Sequence, residues 1–554
     1  MLHEIYVTTP FYCTNTASKT SLCSKNCENV PNHLPLKYGA VFDTVHSALK
    51  HFEEKIMNNI ISTHIDENEA YVRKRLQNCD DCIIRPMLLG EGKKIRCMVV
   101  YIEVAVSNMV LEDSVIGKLV NHIWEMPGDE LIEFIKDNGM GISDVQPLED
   151  MDKAFAAMLA GNAIFFIDGY NKAIKIGSKG YPNLSVSESS REKVLRGSKE
   201  GFTDAVKTNA ALVRKRIRDT RLKVKQKTLG ERSQTLVQLL YMEDLVRPEL
   251  LSELENRLDS FVIDGILDTG AIEQLTEKHW LSPFPQFQTS ERPDKCAVEI
   301  LNGRILLLCD HSPTGILLPA VLNDFLQVSE DNYNHFEIVS FQRLIRYFAL
   351  FLTLLFSGTY LAVTNFHTQV LPTNLILSFS EARQGVPFPA LLEVLFMEIA
   401  FETIREAGVR MPGPLGGTIG IVGGLIVGQA AVEANLVSPI VVVVVAVTAL
   451  CSLAIPNQEF SAPFRMLKFG FIFLGGTLGV FGILLGLYLV ISHLAGLKSF
   501  GIPYLTPFAA QNQAGYRGEQ DGTVRAPFRF LTKRPLYARR EEQVKLRTKK
   551  KGGA

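Results

Sequence analysis

The sequence lacks the residue patterns that most enzymes and exported proteins carry. No apolar run of signal-peptide length occurs in residues 1–65, so we expect the N-terminal half to stay in the cytoplasm. No HExxH, Walker A or metal-ligand cluster is present. No nucleophile–base constellation can be assembled from the sequence either. These absences predict a protein that is not an enzyme and has no catalytic residue, metal site or cofactor.

Cysteine is scarce and shows no pairing pattern. The nine cysteines are an odd number, which suits reduced thiols in a cytoplasmic protein. Cys79-x-x-Cys82 has the spacing of a redox pair or half a zinc site, but no second pair or histidine partner follows it at suitable spacing. We therefore interpret both cysteines as unpaired thiols in a loop.

Charged residues are missing from several long stretches of the C-terminal part. Arg346 is the last charge before Glu381, and none occurs in residues 411–432, 434–458 and 469–497. A bilayer core about 30 Å thick needs roughly 20 apolar helical residues to cross it. The sequence therefore predicts an α-helical multi-span membrane domain over residues 336–498, followed by a basic C-terminal tail, 499–554.

Residues before this membrane domain contain an internal repeat. Four motifs recur in the same order about 141 residues later: Val72-Arg-Lys-Arg-Leu76 as Val213-Arg-Lys-Arg-Ile217, Leu89-Gly90 as Leu229-Gly230, 99–103 as 239–243, and 159–168 as 301–310. Such self-similarity indicates duplication of one unit. We predict a variable polar tail, 1–65, then two tandem α/β domains, 66–185 and 186–335, with Gly161 matching Gly303 and Asp168 matching Asp310.

Two patterns within the repeat invite functional interpretations. Asp310-His311-Ser312 could belong to a catalytic triad, but its counterpart is Asp168-Gly169-Tyr170, so a hairpin turn is favoured. The basic run 213–227 is interpreted as a solvated helix face followed by an exposed strand. Contact with anionic lipid is the second interpretation. Nucleic acid is not expected, because no aromatic residues are interleaved with the charges.

Segment 388–406 leaves the number of spans open at four or five. Glu398, Glu402 and Arg405 fall near one helix face, so the segment is either an interfacial or re-entrant helix or a span whose neighbours shield the carboxylates. Arg343 and Arg346 place the N-terminus inside. If the segment is a span, the positive charges of the later loops lie inside the cell and the basic tail lies outside. If it is interfacial, the tail lies inside and those loop charges lie outside. The loop charges in question are Arg405, Arg410, Arg465 and Lys468.

A glycine ladder marks residues 413–433. The helix-packing candidates recur at every fourth position: Gly416, Gly420, Gly424 and Gly428. In lipid, such small residues let helix backbones approach closely. A phosphate-binding loop is excluded, because no strand precedes the glycines and no lysine follows them.

A second face of the same helix carries the candidates for a pore lining. They are Thr418, Val422, Leu425, Gln429 and Glu433. Gln429 and Glu433 are one turn apart near the end of a span, where polar groups usually face protein or water. Glu433 alone could simply sit at the membrane interface. The glycine ladder and this polar face together favour a helix that packs on neighbours and faces an aqueous path.

Several longer motifs resemble the A subunit of GerA-type spore germinant receptors, and the similarity extends from about Asp66 to Ala509. They are Pro283-Phe-Pro-Gln286 with Ser290-Glu-Arg-Pro-Asp294, Arg383-Gln-Gly-Val-Pro-Phe-Pro389, Gly428-Gln-Ala-Ala-Val-Glu-Ala434 with Val437-Ser-Pro439, Ile455-Pro-Asn457, and Ser499-Phe-Gly-Ile-Pro-Tyr-Leu-Thr-Pro507. The resemblance implies a protein of the spore inner membrane that works with a permease-like B subunit and a lipoprotein C subunit.

The resemblance also implies a function. A subunits of this family are expected to form homo-oligomers that act as nutrient-gated ion channels, and opening of the channel starts germination. A secondary transporter is the first alternative, but it would need inverted repeats in the membrane half, and the duplication lies in the soluble half. A membrane scaffold without its own pore is the second. Membrane lipid is an expected partner in every case.

Overall fold

The computed structural model describes residues 59–89, 95–106, 145–181, 188–189, 191–410, 415–509 and 521–546. The predicted variable tail lies almost wholly outside these residues. The remainder comprises two antiparallel sheets with helices, a bundle of long helices, and a C-terminal segment that returns to the second sheet.

The first sheet is antiparallel, with strand order β1-β2-β4-β5-β3. Its strands are β1 (Cys82–Leu89), β2 (Ile95–Ile102), β3 (Val145–Leu148), β4 (Ala163–Ile167) and β5 (Ala173–Ile176). Two helices, α1 (Ile65–Arg75) and α2 (Met151–Leu159), cover one face of it. β4 is buried along its whole length, as expected of a central strand with apolar side chains on both faces.

The second sheet repeats this arrangement with strand order β6-β7-β9-β10-β8. Its strands are β6 (Leu222–Leu229), β7 (Thr235–Met242), β8 (Gln288–Ser290), β9 (Ile305–Cys309) and β10 (Gly315–Leu318). On one face lie α3 (Val206–Arg216) and α6 (Pro293–Leu301), and on the other lie α4 (Pro248–Leu258) and α5 (Thr269–Thr276). One strand order in both sheets is what duplication of a single unit predicts.

Matching aspartates hold matching helices in the two domains. Asp168 Oδ1 accepts a hydrogen bond from the backbone N–H of Ile65 at 3.0 Å, and Asp310 Oδ1 accepts one from Val206 N–H at 3.1 Å. Each carboxylate therefore satisfies a free N–H in the first turn of its helix. Asp310 and His311 lie in the turn between β9 and β10, so the turn interpretation is favoured over the triad.

The matching glycines share a backbone conformation that favours glycine. Gly161 has φ of +91° and Gly303 has φ of +99°. A Cβ atom on Gly161 would lie 2.8 Å from the Tyr181 ring, and one on Gly303 would lie 2.9 Å from Cα of Ala538. Both turns therefore exclude larger residues through backbone conformation and through close packing.

A short main-chain ladder and a buried ion pair join the two α/β domains. Asp80 N–H donates to Val224 O at 2.9 Å, so the segment after α1 pairs with the outer edge of β6. Arg214 is fully buried and donates to both carboxylate oxygens of Asp81 at 2.7 Å. The prediction that the basic run is a solvated face is therefore wrong for Arg214. Lys225 and Lys227 also pair within the domain, with Glu255 and Asp259.

Cys79 lies inside this junction. It forms a bridge beside Val224, and a hydrogen bond from the Cys82 thiol is the main cause that lowers the pKa of Cys79 to about 7. Within the part of the chain that the structure describes, no group of three His, Cys, Asp or Glu residues could hold a metal ion. Cys79 is buried in the turn after α1, whereas Cys82 begins β1, so the interpretation as loop thiols is wrong for Cys82.

In the part of the chain that the structure describes, six α-helices follow the second sheet. They are α7 (Phe336–Phe366), α8 (Thr373–Ala382), α9 (Ala390–Arg410), α10 (Leu415–Glu433), α11 (Pro439–Leu453) and α12 (Gln458–Gly496). Among the described residues, α7 and α12 are long and apolar enough to cross a membrane, and α11 is a shorter apolar helix.

The helix α12 reverses direction at Gly479. Gly479 has φ of +65° and ψ of −145°, which breaks the helix into limbs 458–478 and 480–496. A Cβ atom on Gly486 would lie 2.9 Å from the Phe471 ring. In a straight helix these two residues would be separated by about 22 Å, given a rise of 1.5 Å per residue. The two limbs therefore pack side by side as a hairpin.

Contacts at the helix ends give the direction of each pass. Both ends of the α12 hairpin meet the second α/β domain, because the rings of Phe464 and His493 lie 5.4 and 5.9 Å from Phe284. The far end of α7 meets the hairpin turn, where Phe366 contacts Gly479. Within the described residues, the chain crosses the bundle in α7, α9, α10, α11 and both limbs of α12, which makes six passes.

The C-terminal segment lies on the same side of the bundle as the α/β domains. Leu322 N–H donates to Tyr504 O at 2.9 Å, and Arg343 at the base of α7 contacts Asp521 at 2.6 Å. Because the chain enters the bundle from the α/β domains and crosses it an even number of times, it leaves the bundle on the side of those domains. The reversal at Gly479 lies within one uninterrupted apolar run, so nothing in the sequence indicated the second limb of α12, and the prediction of four or five membrane spans stays a prediction.

Candidate functional site in the helical bundle

The helix α10 carries every residue that the sequence suggested for a pore and lies at the margin of the bundle. It packs mainly on α9, with a smaller contact to α11. A Cβ atom on Gly424 would lie 2.9 Å from the Phe401 ring of α9, and one on Gly428 would lie 3.0 Å from Val442 of α11. These two glycines therefore face neighbouring helices at short distance.

The other predicted residues of α10 divide into two groups. The surroundings of five of them lie outside the described part of the structure: Gly416, Thr418, Gly420, Val422 and Leu425. Gln429 and Glu433 are described, and both are exposed on the surface of the single chain. Gln429 Nε2 donates to Glu433 Oε1 at 3.1 Å. The structure thus brings the two polar residues together, and their role in a pore stays a prediction.

A buried ion pair occupies the centre of the bundle. Lys468 Nζ in the first limb of α12 lies 2.5 Å from Glu398 Oε2 in α9, and both side chains are buried. The Ser357 hydroxyl donates to the other carboxylate oxygen of Glu398 at 2.7 Å and lies 3.0 Å from the Thr448 hydroxyl. One charged pair and two hydroxyls therefore connect α7, α9, α11 and α12.

A second pair lies one turn along α9, toward the α/β domains. Glu402 forms an ion pair with Arg465 of α12 and lies 3.9 Å from Lys468. Arg405 donates to the Ser452 hydroxyl of α11 at 3.0 Å. Neighbouring helices therefore contact Glu398, Glu402 and Arg405, as the span interpretation of segment 388–406 expects, and the number of membrane spans stays a prediction. The sequence predicts that Arg465 and Lys468 are loop charges. In the structure they lie within α12 and form ion pairs with the carboxylates of α9.

The opposite end of α9 carries another buried carboxylate. Glu393 Oε2 accepts a hydrogen bond from Ser438 N–H at 2.9 Å, and Arg383 lies 3.2 Å from Oε1. Arg383 belongs to the motif 383–389 and Ser438 to the motif 437–439. Glu393 thus joins two of the motifs singled out in the sequence, although its own position gave no signal.

Substitution of Gly424 by Leu is expected to lower the amount of protein in the membrane. The added side chain would meet the Phe401 ring, and overpacking of this kind costs about 1–3 kcal/mol. Gly470→Leu in α12 is the matched control, because a Cβ atom there would meet nothing within 4 Å. Gly420→Leu is expected to behave like Gly424→Leu. Immunoblots of spore membranes measure the effect, and normal levels of both variants would contradict the packing argument.

Comparison with known proteins adds family relationships to this geometry. The family model described as Bacillus/Clostridium GerA spore germination protein matches residues 70–537. Spore germination protein KA of Bacillus subtilis (strain 168) is 34% identical over 493 residues, which cover 89% of this chain and 90% of that protein. Spore germination protein GerLA of Bacillus cereus is 35% identical over 476 residues, covering 85% and 95% of the two chains.

Two further comparisons concern a membrane protein and a solved structure. The Uncharacterized membrane protein YfkQ of Bacillus subtilis (strain 168) is 37% identical over 480 residues, covering 86% of this chain and 92% of that protein. A crystal structure of the N-terminal domain of the A subunit of the Bacillus megaterium spore germinant receptor GerK3 covers 48% of this chain and 97% of its own, with 25% identity and a TM-score of 0.38.

Proposed function

The chain belongs to the GerA family of spore germination proteins, and from that premise we propose that it is the A subunit of a nutrient germinant receptor in the spore inner membrane. It works there with a permease-like B subunit and a lipoprotein C subunit. Its α/β domains and C-terminal segment lie on the cytoplasmic side. The match to family members along most of their length supports this role over that of an unrelated membrane protein.

The outer surface of the bundle supports a multi-span membrane domain. Large apolar side chains are exposed there, with Phe348 at 62%, Phe481 at 68% and Leu484 at 59% exposure. Exposed apolar area of this extent indicates contact with lipid or with another protein. The Glu398–Lys468 pair of α9 and α12 is buried at the same time, as charged groups within a membrane normally are.

We further propose that several copies of the chain assemble around α10 and form a cation channel. The observation that carries this proposal is the exposure of Gln429 and Glu433 at the margin of the bundle. Polar groups are costly against lipid, so they face water or a neighbouring protein. A ring of subunits with α10 toward the axis would place both residues at the mouth of an aqueous path.

A secondary transporter is the competing function that one observation favours. Glu398 and Lys468 form a buried charged pair inside a single chain, and ion-coupled transporters use such groups near the middle of the membrane. A transporter would work as one chain, whereas the channel needs several. Purification of the intact receptor from spores, followed by counting of subunits per particle, separates the two. Several copies of this chain per particle support the channel, and one copy contradicts it.

Glu433→Gln is expected to lower cation flux through the channel several-fold without changing assembly. A carboxylate at the mouth attracts cations and raises their local concentration. Glu406→Gln is the matched control, since Glu406 is an exposed carboxylate that pairs with Arg410 on α9. Nutrient-triggered cation release from spores measures the effect. Equal release in the Glu433→Gln variant and the wild type would remove Glu433 from the path.

A further inference from the structure

Two adjacent stripes of α9 contact two different helices. One stripe carries Glu398 and Glu402, which pair with Lys468 and Arg465 of α12. The neighbouring stripe carries Phe401, which lies against Gly424 of α10. A single rigid helix therefore links the ion pairs of α12 to the surface on which α10 rests.

The position of α10 depends chiefly on α9. The main contact of α10 is with α9, where Phe401 and Ile404 meet two consecutive glycines, Gly424 and Gly423. Because the glycines have no side chains, Phe401 and Ile404 rest directly against the α10 backbone, and a shift of α9 presses on that backbone. Movement of α9 is expected to carry α10 with it.

The two ion pairs differ in how readily water can reach them. Glu398 and Lys468 are both buried, and Ser357 adds a hydrogen bond to the carboxylate. Glu402 and Arg465 lie closer to the α/β domains, with 35% and 20% of their side chains exposed. Separating a fully buried pair is strongly unfavourable, whereas a partly hydrated pair can exchange its partner for water at small cost.

We infer that the Glu402–Arg465 ion pair is a latch that holds α9, and through it α10, in the closed position of the channel. The inference rests on the proposed channel function. While the pair is formed, the end of α9 nearest the α/β domains is fixed against α12. When the pair separates, that end moves, α10 follows through the Phe401–Gly424 contact, and the path opens. The buried Glu398–Lys468 pair is the fixed point about which the end of α9 moves.

A double-mutant cycle in spores tests the latch. The variants are Glu402→Gln, Arg465→Gln and the double variant, with Glu406→Gln as an exposed-carboxylate control on the same helix. Cation loss without nutrient is measured and divided by the amount of protein in the membrane. Both single variants are expected to lose cations several-fold faster than the wild type, and the double variant no faster than either single one, because one interaction is removed in all three.

Conservative variants and a pore variant complete the test. Arg465→Lys keeps the charge and is expected to retain cations better than Arg465→Gln. Wild-type retention in both single variants would overturn the latch, as would additive leaks in the double variant. Failure of Glu402→Gln to accumulate would also overturn it, because the pair would then serve folding. Val422→Ala and Leu425→Ala are tested in parallel. If they leak while the latch variants retain cations, the latch alone is contradicted. If both retain cations, the proposed path along α10 is contradicted.

Discussion

Glu398→Ala is expected to deplete the protein from spore membranes. The substitution leaves Lys468 buried without its carboxylate partner and removes the acceptor of the Ser357 hydroxyl. Removing one member of a buried ion pair costs about 3–5 kcal/mol. That is a large part of the 5–15 kcal/mol by which folded proteins are typically stable. Immunoblots of spore membranes are expected to show a severalfold loss.

Two further variants show whether the loss of protein comes from breaking the buried Glu398–Lys468 pair or from any substitution in α9. Glu406→Ala removes an exposed carboxylate from the same helix, and exposed pairs contribute only about 0–1 kcal/mol. Its level is expected to be that of the wild type. The double variant Glu398→Ala with Lys468→Met removes both charges and is expected to recover much of the loss. A wild-type level of Glu398→Ala alone would contradict the importance of the buried pair.

Val422→Ala is expected to let spores lose cations without any nutrient. If α10 lines the path, Val422 and Leu425 form its apolar constriction, which closes by excluding water. A smaller side chain widens the constriction and allows it to fill. Leu425→Ala is expected to act in the same direction. The measurement is the release of monovalent cations from dormant spores in nutrient-free buffer, relative to the wild type.

Val443→Ala is the matched control for this result. Val443 lies in α11 and is exposed on the outer surface of the bundle, so the same change in volume is made away from α10. Its spores are expected to retain cations. Retention in both Val422→Ala and Leu425→Ala would place the path along another helix and would leave α10 as a packing element.

The repeat in the two α/β domains is the part of the fold with the clearest signal in the sequence. The pairs Gly161 with Gly303 and Asp168 with Asp310 occupy equivalent turns. Each glycine meets a local need for a positive φ, and each aspartate accepts a hydrogen bond from a helix N–H of its own domain. Such local requirements leave a direct mark on the sequence. Contacts between domains leave a weaker mark on the sequence. Nothing in the sequence around Arg214 indicated that it would be buried at the domain junction and pair with Asp81.

The bundle was harder to predict because its organisation depends on which helices become neighbours. Glu398 and Glu402 were identifiable as a polar stripe, yet their partners Lys468 and Arg465 lie 70 and 63 residues further along the chain. Helix periodicity shows which residues share a face and not what that face meets. Gly479 is one glycine among several in an apolar run, so the reversal it produces had no distinct signal.

For α10 too, helix periodicity shows which residues share a face and not what that face meets. Periodicity places Gln429 and Glu433 one turn apart, and the structure reproduces that contact at 3.1 Å. Whether this face meets water depends on neighbouring copies of the chain, whose arrangement a single sequence does not specify. The glycine positions are more predictable, because close helix packing demands small residues directly.

The central claim, that this chain forms a cation path lined by α10, is tested most directly with purified protein in liposomes. Val422→Ala, expected to be open without nutrient or partner subunits, is reconstituted in vesicles that contain potassium chloride and are diluted into sodium gluconate, so that inward sodium balances the charge of outward potassium. The account predicts potassium efflux well above that of protein-free vesicles and of vesicles with Val443→Ala, and little chloride efflux. The double variant Val422→Ala with Glu433→Gln is expected to release potassium more slowly than Val422→Ala alone. Vesicles that hold potassium as tightly as protein-free ones, or that release chloride equally fast, would contradict the account.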